Sequence, residues 1–250
     1  MKQRIWIAAA LAAATLAASQ GRADVKPHAL FTDGMVLQRG TKCPIWGSAA
    51  PGEQVSVKFS AKKENAATES GASASADAKG KWRVEIQVGA EMAGGPYEMV
   101  IKGNNTITIK DVYVGEVWVC SGQSNMEMAL SRTHNAKEAI ANAKNANIRL
   151  FTVPKNTSDK PLTEFTGQPK WQECNPDTVQ NFTAVGYFFG RDLQKALKVP
   201  VGLIHTSWGG TRAEAWTSQP VLEAHEEWKK ESLNYHKAME QYQQAGKKAK

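Results

Sequence analysis

Residues 111–120, DVYVGEVWVC, constrain the fold more than any other stretch of this chain. The run is almost continuously apolar and rich in β-branched and aromatic residues, the composition of a strand buried on both faces. A strand of that kind belongs in a parallel sheet covered by helices. The chain before it follows another grammar. Residues 27–111 hold short alternating or β-branched segments, among them CPIWGSA, EQVSVKFS, KWRVEIQV, PYEMVIKG and NTITIKDV. Pro51-Gly52, Lys79-Gly80, Gly94-Gly95-Pro96 and Asn104-Asn105 punctuate them at roughly ten-residue intervals, which predicts a β-sandwich. Residues 62–80, polar and rich in Ala and Ser, read as a long hairpin.

After residue 111 strands and helices alternate. KEAIANAK is a short helix and residues 147–153, NIRLFTV, a second strand. Residues 154–181 form a loop with prolines at 154, 161, 169 and 176. Over 183–199 the apolar residues Val185, Phe188, Phe189, Leu193, Ala196 and Leu197 recur at helical spacing. Residues 199–207, VPVGLIHTS, make a third buried strand. Residues 220–250 are helical and highly charged. The expected fold class is α/β, with a β-sandwich over 27–111 and a parallel-sheet unit over 112–250, dividing near residue 111 without a flexible linker.

Residues 1–23 stand apart. Lys2 and Arg4 precede the apolar IWIAAALAAATLAAS, and small residues at Gly21 and Ala23 flank a cleavage point before Asp24: the three parts of a secretory signal peptide. The chain is expected to be exported to a periplasmic or extracellular space, in a bacterial setting, without stable membrane insertion. Removing the 3 basic residues of that segment from the 31 in the chain leaves 28 against 24 acidic ones, a net +4. With no block of Lys and Arg interleaved with aromatics, nucleic acid is not an expected partner. Cys43, Cys120 and Cys174 are odd in number, which leaves at least one thiol free, and no CxxC spacing suggests a metal or redox site.

Two turns carry the chemistry. Ser121-Gly122-Gln123-Ser124-Asn125 follows the first buried strand, and Trp208-Gly209-Gly210-Thr211 follows the third. In a parallel sheet both lie on the carboxyl edge, where open α/β folds place ligands. Ser124 brings a hydroxyl, together with its own N–H at a helix start, where the potential is positive. Gly209 and Gly210 bring N–H groups that a substrate can approach closely. An oxyanion held between Ser124 N–H and Gly209 or Gly210 N–H would suit acyl transfer. Gln123, Asn125 and Thr211 are candidate substrate-binding residues, with Gln123 and Asn125 equally suited to turn hydrogen bonds. Trp208 either lines the pocket or packs behind the strand. Glu116, on the first buried strand, calls for an internal partner.

The residues GEVWVCSGQSNMEM resemble the nucleophile block of the sialate O-acetylesterase family, within the wider SGNH hydrolases. MVLQRG, CPIWGSAAPGEQVSV, AGGPYEMVI and NTITIKDVYVGEVW are similar to that family's β-rich N-terminal region. AVGYFFGRDLQKALKVPVGLIHTSWGGTRAEAWTS resembles its second block, so the likeness covers about residues 28–222. It implies an SGNH-type, flavodoxin-like hydrolase domain that removes O-acetyl groups from sugars. Ser124 is then the nucleophile and one glycine an oxyanion donor, Gly209 in preference to Gly210, with no metal or organic cofactor.

The family's base, a histidine in a DxxH block near the C-terminus, has no counterpart here, nor does its QGE block. Of the five histidines, His28, His134, His205, His225 and His236, none has an aspartate three residues before it. Two expectations follow: a truncated N-terminal part of a longer esterase, which is favoured, or a complete chain that is inactive or uses an unusual base, for which His205 is the best placed although a strand histidine in a satisfied environment fits it better. A different class also fits, a non-catalytic exported glycan-binding protein. The eight tryptophans, which serve sugar surfaces as well as cores, agree with it. Neither the sugar nor the oligomeric state is specified.

Overall fold

A computed structural model describes residues 24–61, 69–158 and 161–248. The signal-peptide segment and residues 62–68 of the expected hairpin lie outside them. The strands, in chain order, are β1 (Lys26–Pro27), β2 (Val36–Gln38), β3 (Thr41–Ser48), β4 (Gln54–Ala61), β5 (Glu69–Ser75), β6 (Lys81–Val88), β7 (Gly94–Lys102), β8 (Thr106–Cys120), β9 (Asn145–Thr152), β10 (Gln172–Cys174) and β11 (Val201–His205). The helices are α1 (Ser124–Glu127), α2 (Ala136–Ala141), α3 (Pro176–Val179), α4 (Ala184–Leu197), α5 (Gln219–Glu223) and α6 (Glu226–Lys248).

Alternation builds the first half. In β6, Trp82, Val84, Ile86 and Val88 point inward while Lys81, Arg83, Glu85 and Gln87 point to solvent. That face turns the antiparallel sheet β1-β3-β6 toward the strands β5-β4-β7-β8 of a second, larger sheet. Ile45, Val57, Phe59, Ile86, Met99 and Ile101 meet between them, each fully buried. Each such side chain contributes about 1.5–3 kcal/mol on burial.

The larger sheet runs β10-β9-β11-β8-β7-β4-β5, with β2 beside β8. It is mixed: β7 meets β8 antiparallel, whereas β2 and β11 run parallel to it. Residue 111 lies within β8, so two segments read separately in the sequence are one strand of 15 residues. Register explains how it serves two partners. Ile109 faces Met99 but Val112 faces Tyr97, so one extra residue is accommodated on β8. Asp111 takes it up with φ 56°, a left-handed conformation unusual outside glycine. Before this bulge the more buried residues are Ile107 and Ile109; after it they are Val112 and Val114. Arg149 locks the junction: its Nη1 lies 2.6 Å from the Asp111 carboxylate and its guanidinium 4.4 Å from the Tyr113 ring centroid.

Past the bulge β8, β11 and β9 are parallel, with Cys120, His205 and Thr152 abreast at their carboxyl ends. Helix α4 covers this part. Thr183 caps it, its Oγ1 accepting the Gly186 N–H at 3.2 Å, and Lys198 closes it in a left-handed conformation. Gly190 allows close approach, because a Cβ there would stand 2.6 Å from Leu203 Cδ1. The short elements β10 and α3 occupy what the sequence suggested was loop. The charged C-terminal helix is divided, α5 ending at its Ala224 cap before α6 begins.

One edge of the sheet is open. Among the described residues, Glu116–Cys120 pair with β11 on one side and with no strand on the other. The Gln38 side chain accepts the Val117 N–H at 2.7 Å. Beyond it Trp118 and Val119 are 45% and 63% exposed, with Trp118 edge-on against Phe189 at 5.0 Å.

Candidate active site

The in-register strand ends bring the two turns together. After β8, Gly122 adopts φ 135°, a conformation that favours glycine, and the chain turns into α1 at Ser124. After β11, Thr206 N–H donates to Cys120 O at 3.0 Å and Trp208 N–H to Gly122 O at 2.9 Å. These bonds extend the pairing of β8 with β11 beyond the strands and knit the loops. A Cβ on Gly209 would lie 3.5 Å from the Ser124 Cα. Ser124 is exposed, and its hydroxyl has no hydrogen-bond partner among the described residues.

The helix-start argument is weaker than the sequence suggested. α1 is a single turn of four residues, and its cap Gln123 makes no side-chain capping bond. The macrodipole of so short a helix is small. Gln123 and Asn125 are exposed beside the serine. Thr211 is engaged within its own turn: its hydroxyl donates to Trp208 O and accepts from Trp216 Nε1, both at 2.7 Å.

The two glycines differ. Gly210, at φ 79°, has open space around it and an N–H without a partner among the described residues. The Gly209 N–H donates to the Glu127 carboxylate, which also pairs with Lys155 Nζ. Lys155 lies in the loop after β9, its ammonium 5.4 Å from the Trp208 ring centroid. Sequence reading missed Glu127 and Lys155. The available signal was positional: Lys155 falls three residues past the end of β9, as Ser124 and Gly209 fall four past β8 and β11.

Among the described residues no histidine is hydrogen-bonded to Ser124. His28 sits in an aromatic cage with Phe31, Trp46 and Phe165, its Nδ1 accepting the Leu30 N–H at 3.2 Å. His205 ends β11, abreast of Cys120. Its Nε2 is 2.5 Å from Ser207 Oγ, while its buried Nδ1 has no partner. Burial, then the nearby Lys155 cation, pushes its pKa down. His134 is exposed, and His225 and His236 lie on the C-terminal helical segment. Glu116 has the partners expected of it, Arg39 Nε at 2.8 Å and Gln38 Nε2 at 3.2 Å. A cleft of about 1680 Å³ adjoins the site. Trp208, Trp216, Trp228 and Tyr235 line it with Lys155 and Ser207, and Ser124 stands outside it. Cys43, Cys120 and Cys174 are buried free thiols.

Ser124 thus stands exposed at a sheet edge beside a glycine turn, an arrangement compatible with acyl transfer. The comparisons agree and sharpen the class. The family described as "Carbohydrate esterase, sialic acid-specific acetylesterase" matches residues 114–250. The sialate O-acetylesterase of Mus musculus is 34% identical over 203 residues, 76% of this chain and 37% of that protein. The Homo sapiens protein of the same name is 32% identical over 204 residues, 76% of this chain and 38% of that protein. A crystal structure of a carbohydrate acetylesterase from Xanthomonas citri superposes with a TM-score of 0.70 at 37% identity, covering 78% of this chain and 43% of that one. The chain therefore spans well under half the length of these relatives. It belongs to the sialic acid-specific acetylesterase family of carbohydrate esterases.

Proposed function

We propose that this chain is the N-terminal part of an exported serine esterase that removes O-acetyl groups from sugars. The observation that carries the reading is the meeting of Ser124 with the Gly209-Gly210 turn at the carboxyl edge of β8 and β11. In the reaction, Ser124 Oγ attacks the acetyl carbonyl and its proton passes to a base. The oxyanion is held by Ser124 N–H and a glycine N–H, with Gly210 the unpartnered one. The sugar hydroxyl leaves with a proton, and water then releases acetate from the acetyl-enzyme. Gln123 and Asn125 flank the substrate. An O-acetylated sugar is the substrate class suggested by the names of the relatives, sialate among them.

The same reading takes the first half as a β-sandwich and the second as the beginning of an SGNH-type sheet that further chain would complete. Its support is the open edge of β8, where an apolar strand exposes Trp118 and Val119 beside Phe189. Long apolar edges of this kind are normally covered. Residues 1–23 support export to a periplasmic or extracellular space.

A second reading, glycan binding without catalysis, is favoured by the aromatic cleft and by the absence of a base among the described residues. Fluorophosphonate treatment followed by intact mass and peptide mapping separates the two. A single adduct on Ser124, lost in Ser124→Ala, establishes the nucleophile. Acetate release from an O-acetylated sugar that is unchanged in Ser124→Ala removes the esterase reading. Sugar affinity that survives Ser124→Ala, with no adduct on the folded wild type, supports the binding module.

A further inference from the structure

We infer that Glu127 is a positioning residue that joins the segments following β8, β9 and β11 at the candidate site; this rests on the serine esterase reading. Glu127 follows β8, Lys155 follows β9 and Gly209 follows β11. One carboxylate oxygen of Glu127 accepts the Gly209 N–H and the other pairs with Lys155 Nζ. A hydrogen bond to an ionised acceptor is about twice as strong as one between neutral groups. Here it ties the glycine turn to the residue three positions after Ser124. Lys155 has two functions. It balances a negative charge that would otherwise oppose an oxyanion forming nearby, and its ammonium lies over Trp208, the residue before Gly209.

This arrangement separates the roles of the two glycines. Gly209 N–H is taken up in fixing the turn. Gly210 N–H is left to receive the oxyanion. Glu127 thus acts through Gly209 and sets the distance between the serine and the donor, without touching substrate. Displacing a reacting group by about 1 Å can cost on the order of 100-fold in rate.

The labelling pattern for a direct test is built into the sequence. Carbonyl-¹³C Trp with ¹⁵N Gly selects only Trp-Gly peptides, of which the chain has two, Trp46-Gly47 and Trp208-Gly209. Gly47, in β3, serves as the internal control. In Glu127→Ala the Gly209 amide proton should move upfield while Gly47 stays in place, and in Glu127→Gln, which keeps an acceptor oxygen, the Gly209 signal should remain near its wild-type position. A Gly209 signal unmoved in Glu127→Ala, or one that moves together with Gly47, overturns the inference.

Fluorophosphonate labelling of Ser124 gives the functional arm. It should slow by about tenfold or more in Glu127→Ala, within the range of misplacement effects, and recover in Glu127→Gln. Wild-type labelling speed in Glu127→Ala overturns the positioning role. If the folded wild-type chain is not labelled at all, the failure belongs to the esterase reading of this chain, and the Gly209 amide alone decides whether Glu127 holds the turn.

Discussion

The seat of α4 on the sheet is testable by a double-mutant cycle at Gly190 and Leu203. A Cβ on Gly190 would stand 2.6, 3.0 and 3.1 Å from Leu203 Cδ1, Cδ2 and Cγ, and Leu203 is fully buried. Gly190→Ala alone therefore overpacks the interface, costing about 1–3 kcal/mol. The gain in helix propensity returns about 1 kcal/mol of that. Leu203→Ala alone opens a cavity in the cluster with Ile148, Leu150 and Val201, at about 2–5 kcal/mol. The double variant behaves differently, because the atoms that the new methyl would strike are gone. The helix then keeps its propensity gain, and the methyl adds burial of about 0.8 kcal/mol. The double variant should be more stable than Leu203→Ala by about 1–2 kcal/mol, with a coupling energy of about 2 kcal/mol or more. Urea unfolding followed by circular dichroism measures all four corners. A double variant no more stable than Leu203→Ala would show that Gly190 does not set the approach of α4.

Three further outcomes are expected. The hydrogen bond from Arg39 holds the Glu116 carboxyl below its ordinary 4.5. Its stabilisation is complete above that pH and is lost as pH falls through the lower folded value, so Arg39→Met should flatten the acid limb of a melting-temperature profile. Burial lowers the pKa of His205 and His28 from 6.5. The unfolded chain then binds more protons just below that pH, so stability should decline as pH drops from 6.5, less steeply in His205→Asn by calorimetry. Burial pushes the Cys120 thiol up to about 11 and the Cys174 thiol up to about 12; at pH 8 iodoacetamide should spare both in the native protein and modify both in urea.

The elements most legible in the sequence are those whose periodicity repeats. The alternation of KWRVEIQV marks β6, and the spacing of Val185, Phe188, Phe189 and Leu193 marks α4. The glycine stripe Gly186-x-x-x-Gly190 within that helix could have revealed its contact face. The serine and glycine turns were legible because each follows an apolar run, although the end of β8 leaves Trp118 and Val119 exposed and is not buried on both faces as expected, and the family resemblance supplied roles that spacing alone left open. The continuity of β8 was not legible: the change from alternating to continuous apolar pattern near residue 111 reads as a boundary, and only pairing with β7 shows a bulge there. β10 is three residues long on a sheet edge, too short for any period. The partnership of Glu127, Lys155 and Gly209 joins three loops distant in sequence, which no local pattern encodes.

The bulge at Asp111 also governs how the chain tolerates insertion and deletion. β8 keeps Ile107 and Ile109 toward the interior before it and Val112 and Val114 after it. Losing one residue on either side would turn Val112 and Val114 toward solvent and rotate the turn that presents Ser124 to the opposite face. Losing two would shorten the strand but preserve its parity. Swapping or trimming the N-terminal half while retaining the serine edge would therefore succeed only in steps of two, or with the bulge carried along as part of the transplanted piece.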